Sequence, residues 1–345
     1  MPLSRGVVRG TTTTIGAKMI NLKSPKFWYK KNFISYGLLP LSFIYILIYI
    51  IHRWFGKIFY KYKSPVPIIV VGNITVGGTG KTPLVIYLAK FLQEQGYKPG
   101  IISRGYGGNS KNYPLSLDAN SKVVDTGDEG LLIFRRTQYP VVVGPDRNVA
   151  IKLLLKKNNC NIIISDDGLQ HHKLKADIKI ALIDIAIGLG NGFCLPAGPL
   201  REPVDRLKLV DFVINNYNTS TNTNNDDFGM MLEPVLFYNL KNTNLTKQAI
   251  YFKDKTIHAV AGIGNPARFF QTLRQLGLDI IEHAFPDHYY FKKSDFPFAK
   301  EVVIITEKDA VKCDTIVDSN FWCLSVQAKL SSKLKKLLLD KINKI

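Results

Sequence analysis

Ile68-Ile69-Val70-Val71-Gly72-Asn73-Ile74-Thr75-Val76-Gly77-Gly78-Thr79-Gly80-Lys81-Thr82 decides the fold. Its apolar, β-branched opening predicts a buried strand, and its glycine-rich middle predicts a loop. The loop ends in Gly-Lys-Thr and runs into Leu84-Val85-Ile86-Tyr87-Leu88-Ala89, which reads as helix. Strand, glycine loop and helix in that order make a phosphate cradle: backbone N–H groups of the loop and of the helix start face the phosphate oxygens. Thr75, Val76, Gly77, Gly78, Thr79, Gly80, Lys81 and Thr82 are the candidate nucleotide-binding residues. Lys81 would reach the β- and γ-phosphates, and Thr82 would hold Mg²⁺. The strict pattern G-x-x-x-x-G-K-[ST] asks for glycine where this chain has Thr75. Pro83 falls in the first helical turn, where its missing N–H costs little.

Outward from the loop, strands alternate with helices. Strands are expected at 68–71, 100–103, 141–143, 161–165, 178–184 and 212–215, and helices at 82–95, 129–136 and 147–157. Such alternation predicts a P-loop NTPase-like, doubly wound, mostly parallel sheet with its sites at the strands' carboxyl ends. The asparagine-rich run at 215–227 is low in complexity and marks a boundary. Beyond it a smaller α/β unit is expected, with strands at 257–261 and 302–306, a helix at 267–277 and a basic amphipathic helix at 329–341. The divisions are 1–18 a disordered tail or artefact (Met19 being an alternative start), 19–64 an N-terminal membrane-associated segment, 65–215 the kinase core, 216–235 a linker, and 236–345 the smaller C-terminal domain.

The 345-residue chain carries 46 Lys and Arg against 27 Asp and Glu, a formal net charge of +19. No acidic residue precedes Glu94, whereas Lys23, Lys26, Lys30, Lys31, Arg53, Lys57, Lys61 and Lys63 flank a stretch without charge from Phe33 to Ile51. Trp28, Tyr29, Trp54 and Tyr60 sit at its ends, as interfacial aromatics do. The run is long enough to span a bilayer. Its basic flanks on both sides, and the interruptions at Gly37 and Pro40, equally fit a monotopic anchor on an anionic surface. It is too long for a signal peptide and no small-residue cleavage site follows. RNA- and DNA-binding signatures are absent, so the charge points to a membrane surface, not to nucleic acid. The guanine-selecting N-K-x-D element is absent too, which argues against a P-loop GTPase. Cys160, Cys194, Cys313 and Cys323 lack the spacing of a metal site or disulfide framework.

A phosphate loop needs a carboxylate behind its metal. Asn161-Ile162-Ile163-Ile164-Ser165-Asp166-Asp167-Gly168 is an apolar strand ending in two acids, which makes Asp166 and Asp167 the candidate metal ligands. Gly127-Asp128-Glu129 precedes a helix, so Asp128 reads either as a helix cap or as a site residue. Ser103-Arg104-Gly105-Tyr106-Gly107-Gly108 is a strand end entering an anion-friendly loop, and Asp287-His288 is a turn pair. Each becomes a site residue only if the fold brings it to the phosphate loop.

Taken together and in order, Ser24–Tyr29, Gly72–Thr82, Ser103-Arg104-Gly105-Tyr106-Gly107, Gly127-Asp128-Glu129, Asp166-Asp167-Gly168-Leu169-Gln170-His171, Pro196-Ala197-Gly198-Pro199-Leu200-Arg201-Glu202, Gly262-Ile263-Gly264-Asn265-Pro266, Phe285-Pro286-Asp287-His288-Tyr289 and Thr306-Glu307-Lys308-Asp309-Ala310-Val311-Lys312 resemble the tetraacyldisaccharide 4′-kinases of lipid A synthesis. That family shares the threonine-type first loop position. The resemblance implies an ATP- and Mg²⁺-dependent kinase at the cytoplasmic face of a bacterial inner membrane, acting on the 4′-hydroxyl of a tetraacylated glucosamine disaccharide phosphate. It also implies that Asp128 is the base for that hydroxyl, with His288 its partner and Lys81 on the phosphates. Arg104, Tyr106, Gln170, His171 and Arg201, from the matching blocks, are candidate substrate contacts.

Overall fold

In a computed structural model of the chain, β1 (Ile68–Gly72) is buried along its whole length, as its unbroken β-branched run requires. The structure describes residues 25–59, 62–217, 228–298 and 300–345. The tail expected at 1–18 lies outside the described residues. On one side β1 pairs in parallel with β5 (Ile162–Asp166), which continues through β2 (Pro99–Ser103) to β4 (Val141–Val143) and the short β3 (Leu115–Ser116). On the other side it pairs with β6 (Ile178–Asp184), then β7 (Phe212–Tyr217) and β8 (Gly229–Asn239), all parallel. Helices α3 (Lys81–Glu94), α4 (Val123–Thr126), α5 (Asp128–Thr137) and α6 (Arg147–Lys157) link these strands. Two apolar layers result: Leu84, Leu88, Leu92 and Leu131 pack on one sheet face, Ile151, Leu154 and Leu169 on the other.

The sheet does not stop at the asparagine-rich segment. After the short β9 (Thr246–Lys247), the strands β10 (Ile257–Ala261), β11 (Ile280–Ala284), β12 (Val302–Thr306) and β13 (Phe321–Leu330) run parallel in the order β11-β10-β12-β13. β13 then joins β8 antiparallel, from Trp322 opposite Asn239 to Leu330 opposite Met230. The described residues therefore form one thirteen-stranded sheet. Helices α7 (Pro266–Gln275), α8 (Glu307–Ala310) and α9 (Ser332–Ile342) complete the chain.

This arrangement changes the reading of 216–235. Residues 218–227 lie outside the described residues, but 216–217 end β7 and 229–235 open β8. Pro234 makes the stretch look like linker, yet it falls where the β8–β13 register shifts, at Val326, and a bulge is where a strand tolerates proline. Likewise 329–330 end β13, and the final helix starts at Ser332 with Ser331 accepting from the Leu334 amide as its cap.

At the amino end, α1 (Phe33–Gly37) and α2 (Leu39–Phe59) are separated by a break at Leu38. Ser42, Tyr45, Ile46, Tyr49, Arg53 and Gly56, spaced at helical intervals, form the face of α2 turned to the protein. Phe43, Ile44, Leu47, Ile48, Ile51 and Trp54 cover the opposite face and are exposed, Phe43 to 68%.

Candidate active site

The phosphate loop leaves β1 at Gly72 and enters α3 at Lys81. Gly80 sits at φ 91°, and a Cβ there would come within 2.6 Å of the Asn216 amide nitrogen, so only glycine fits. Asn216 in turn donates to the Thr79 carbonyl at 2.8 Å. The first amides of α3 have no partner within the helix. The Thr79 hydroxyl is buried with no partner. Lys81, 9% exposed, rests its Nζ 3.1 Å from Asn73 Oδ1 and 3.4 Å from Asp167 Oδ1. An inward-facing loop with unspent donors and a lysine held by exchangeable partners fits a polyphosphate. Thr75 and Val76 are tied to the neighbouring Pro199–Leu200 segment. Thr75 bridges to Leu200, and the Val76 amide donates to the Pro199 carbonyl at 2.8 Å, so these two brace the loop and the open cradle starts at Gly77.

Asp166 and Asp167 close β5 beside the loop. Asp166 is fully buried, accepts from Ser103 Oγ at 3.3 Å through Oδ2, and has no hydrogen-bond partner at Oδ1. Burial, then the negative charges of Glu129 and Asp167, push its carboxyl up to about 7. A buried carboxylate oxygen with no partner is a natural cation ligand. Burial raises the Asp167 carboxyl, but Lys81 and Arg201 outweigh it and hold it below the usual carboxylate value. Its backbone lies at φ 47°, a left-handed conformation that aims it at Lys81 and at Arg201 Nη1, 3.2 Å away. Among the described residues no three His, Cys, Asp or Glu side chains cluster tightly enough to cage a metal. Magnesium bound to a nucleotide needs no cage, since phosphates and water supply most of its shell. Asp166 and Asp167, at the strand end beside the loop and with Oδ1 atoms that make no hydrogen bond, suit it.

Asp128 is the first residue of α5, one past the N-cap position, which Gly127 occupies. Its carboxylate, 3% exposed, accepts from His288 Nδ1 at 2.9 Å. A carboxylate only accepts, so His288 carries its proton on Nδ1. Lys308 Nζ and Lys312 Nζ stand 4.0 and 3.9 Å from Asp128 Oδ2. Burial would raise this carboxyl, but His288 and the two lysines together depress it. Lys308 is held by Glu129 at 3.2 Å and Asp287 at 3.1 Å, and lies 3.4 Å from His288 Nε2. Burial lowers its ammonium pKa, and the surrounding carboxylates more than reverse that. Lys312 pairs with buried Asp309 at 2.7 Å, and Asp309 Oδ2 accepts from the Gly262 amide. The Gly262–Gly264 turn then lies directly on the phosphate loop: a Cβ on Gly264 would be 2.6 Å from the Gly78 nitrogen. The two members of the dyad thus come from opposite ends of the sheet, Asp128 from beside β4 and His288 from after β11, and Lys312 links them to the turn on the cradle.

Of the remaining candidates, Tyr106 is half exposed with its ring 4.6 Å from that of His288, and Arg104 is exposed at the same loop. Gln170 uses its amide hydrogens on the Asn73 carbonyl and Glu202, and His171 has a buried Nε2 and a ring pulled down to about 4, chiefly by burial. Gln170 thereby belongs to the loop's support. Lys308 and Lys312 were missed as site residues. Their sequence signal is membership of the Thr306–Lys312 block, which by itself does not say what they touch.

A phosphate loop, an acidic strand end and a carboxylate–histidine pair facing them define a phosphoryl-transfer enzyme of the P-loop class. The tetraacyldisaccharide-1-P 4′-kinase family matches residues 34–343. The chain is 46% identical over 311 residues to the tetraacyldisaccharide 4′-kinase of Coxiella burnetii (strain RSA 331 / Henzerling II), covering 89% of this chain and 91% of that one. It is 45% identical over 306 residues to the Legionella pneumophila (strain Corby) enzyme of the same name, covering 89% and 93%. The crystal structure of the "apo" form of LpxK from Aquifex aeolicus in complex with ATP superposes with a TM-score of 0.73 at 31% identity, covering 90% of this chain and 99% of that one. This chain belongs to the tetraacyldisaccharide 4′-kinase family.

Proposed function

We infer that the protein transfers the γ-phosphate of ATP to the 4′-hydroxyl of tetraacyldisaccharide 1-phosphate, and that Asp128 is the base for that hydroxyl. The observation that carries this is a buried, histidine-bound carboxylate linked through Lys312 to the turn that seals the phosphate loop. An alcohol accepts a phosphoryl group only as its proton leaves, and the loose transition state needs that proton removed late, so a weak base suffices. Asp128 is ionised at neutral pH and accepts the proton; His288, donating from Nδ1, fixes the direction of its lone pairs. Lys81 and the loop amides of 77–82 hold the transferring phosphate and its leaving oxygens, where most of the rate enhancement arises. Held by Thr82, Asp166 and Asp167, Mg²⁺ would neutralise charge on the polyphosphate. Tyr106 and Arg104 line the approach to the dyad and are the substrate contacts the geometry favours.

We further propose that α2 lies on the bilayer and does not cross it. Its polar face is bonded to the kinase body over nearly two turns: Ser42 Oγ to the Cys194 carbonyl, Tyr45 to the Arg201 carbonyl and Tyr49 to Glu202. A crossing helix would have to give up all three. Its outer face suits an interfacial helix. Each large apolar side chain there gains about 1.5–3 kcal/mol on full burial, so a handful suffice to hold the enzyme at the cytoplasmic face of the inner membrane. Incubation of the purified protein with γ-labelled ATP and the tetraacyl disaccharide 1-phosphate tests the activity: labelled lipid is expected, and ATP turnover that labels no lipid would overturn it.

A further inference from the structure

We propose that the membrane helix is a positioning element of the nucleotide site, acting on Lys81 through Tyr49, Glu202, Gln170 and Asn73. The chain of bonds is continuous. The Tyr49 hydroxyl donates to Glu202 Oε2 at 2.6 Å. Gln170 Nε2 donates both to Glu202 Oε1 at 2.7 Å and to the Asn73 carbonyl at 2.8 Å. Asn73 Oδ1 accepts from Lys81 Nζ at 3.1 Å, while its Nδ2 donates to the Thr75 carbonyl. Glu202 has no exposed surface and is balanced by Arg206 at 2.8 Å. A buried carboxylate must be fully bonded, so each of its three partners constrains the other two. A second support runs alongside: Tyr45 holds the Arg201 carbonyl, the Arg201 amide donates to the Ile74 carbonyl, and the Arg201 guanidinium holds Asp167.

Nothing in phosphoryl transfer itself calls for Tyr49, Glu202 or Gln170, and none of them points into the cradle. Their geometry makes sense if seating α2 against the body is what sets the loop and its lysine. The inference rests on the nucleotide-site reading above, and does not depend on which acceptor the enzyme phosphorylates.

The test measures equilibrium ATP binding by the full chain in the absence of lipid, alongside sedimentation with anionic vesicles and the thermal midpoint. Tyr49→Phe removes one hydroxyl from the buried network. Gln170→Leu cuts the link to Asn73 and leaves Tyr49 and Arg206 on Glu202. The net worth of one hydrogen bond sets the ceiling of the effect, a loss of about threefold to tenfold in ATP affinity for each. Vesicle sedimentation is expected to be unchanged. In the double variant the losses should not multiply, because both cut one path. ATP affinity of Tyr49→Phe within twofold of the parent, or losses that multiply in the double variant, would overturn the inference. If Gln170→Leu unfolds, the Tyr49→Phe affinity alone decides. An enzyme that labels no lipid but loses ATP affinity in Tyr49→Phe would sink the acceptor assignment and leave this inference standing.

Discussion

Replacing Lys308 by methionine probes the electrostatics that keep Asp128 ready to accept a proton. Lys308 Nζ lies 4.0 Å from Asp128 Oδ2. At an effective dielectric of about 20 that separation is worth about 4 kcal/mol, an upper figure for a site partly open to solvent. Lys312 and the His288 bond remain, which reduces the loss; Glu129 and Asp287 are left without their cation, which adds to it. The net expectation is an upward move of the Asp128 carboxyl, smaller than that figure alone would give. The sign follows from the proton: removing a positive neighbour favours the neutral acid, and a neutral acid is no base. In the parent the depressed carboxyl is ionised throughout the neutral and mildly acidic range, so kcat/KM has no acid limb from Asp128 there. In Lys308→Met an acid limb should enter that range, with Lys308→Arg restoring the parent profile. The assay is the pH dependence of kcat/KM for the lipid at saturating ATP, on variants whose thermal midpoints have been checked. A Lys308→Met profile superimposable on the parent's would refute the electrostatic account.

Other outcomes follow from the same geometry. Lys81→Ala should abolish phosphate transfer to lipid, measured with γ-labelled ATP, because it removes the ammonium held at the start of α3 between Asn73 and Asp167, the charge a phosphate loop sets against the transferring phosphate. Gly264→Ala places a methyl 2.6 Å from the Gly78 nitrogen, so the turn must lift off the loop; kcat should fall at least tenfold, while a parent-like kcat would show that this contact is dispensable. Phe43→Glu with Leu47→Glu, on the outer face of α2, should release the protein from anionic vesicles without loss of ATP binding. Unchanged sedimentation would mean that another surface holds the membrane.

The parallel core was legible because its strands are unbroken β-branched runs and its helices begin at clear signals, such as Asp146 capping α6 at both the Asn148 and Val149 amides. The predicted ranges 147–157, 178–184, 257–261 and 302–306 coincide with α6, β6, β10 and β12. The β8–β13 pair was not legible. Its two strands are far apart in the chain, one carries Pro234 beside a low-complexity run, and the other runs into lysines that mimic the start of a helix. The same limit governed the site. Lys81, Thr82, Asp166 and Asp167 follow from one local motif and its strand, and Asp128 with His288 follows from resemblance. Lys308, Lys312 and the Glu202–Gln170 network depend on contacts between distant segments, which no spacing rule encodes.

The central claim is that Asp128, held by His288 against the phosphate loop, takes the proton of the acceptor hydroxyl. It is tested most directly by the single-turnover rate of phosphate transfer in Asp128→Asn, measured with saturating ATP and lipid. The account predicts a fall of roughly 10²–10⁴ with ATP affinity retained; a near-parent rate would contradict it.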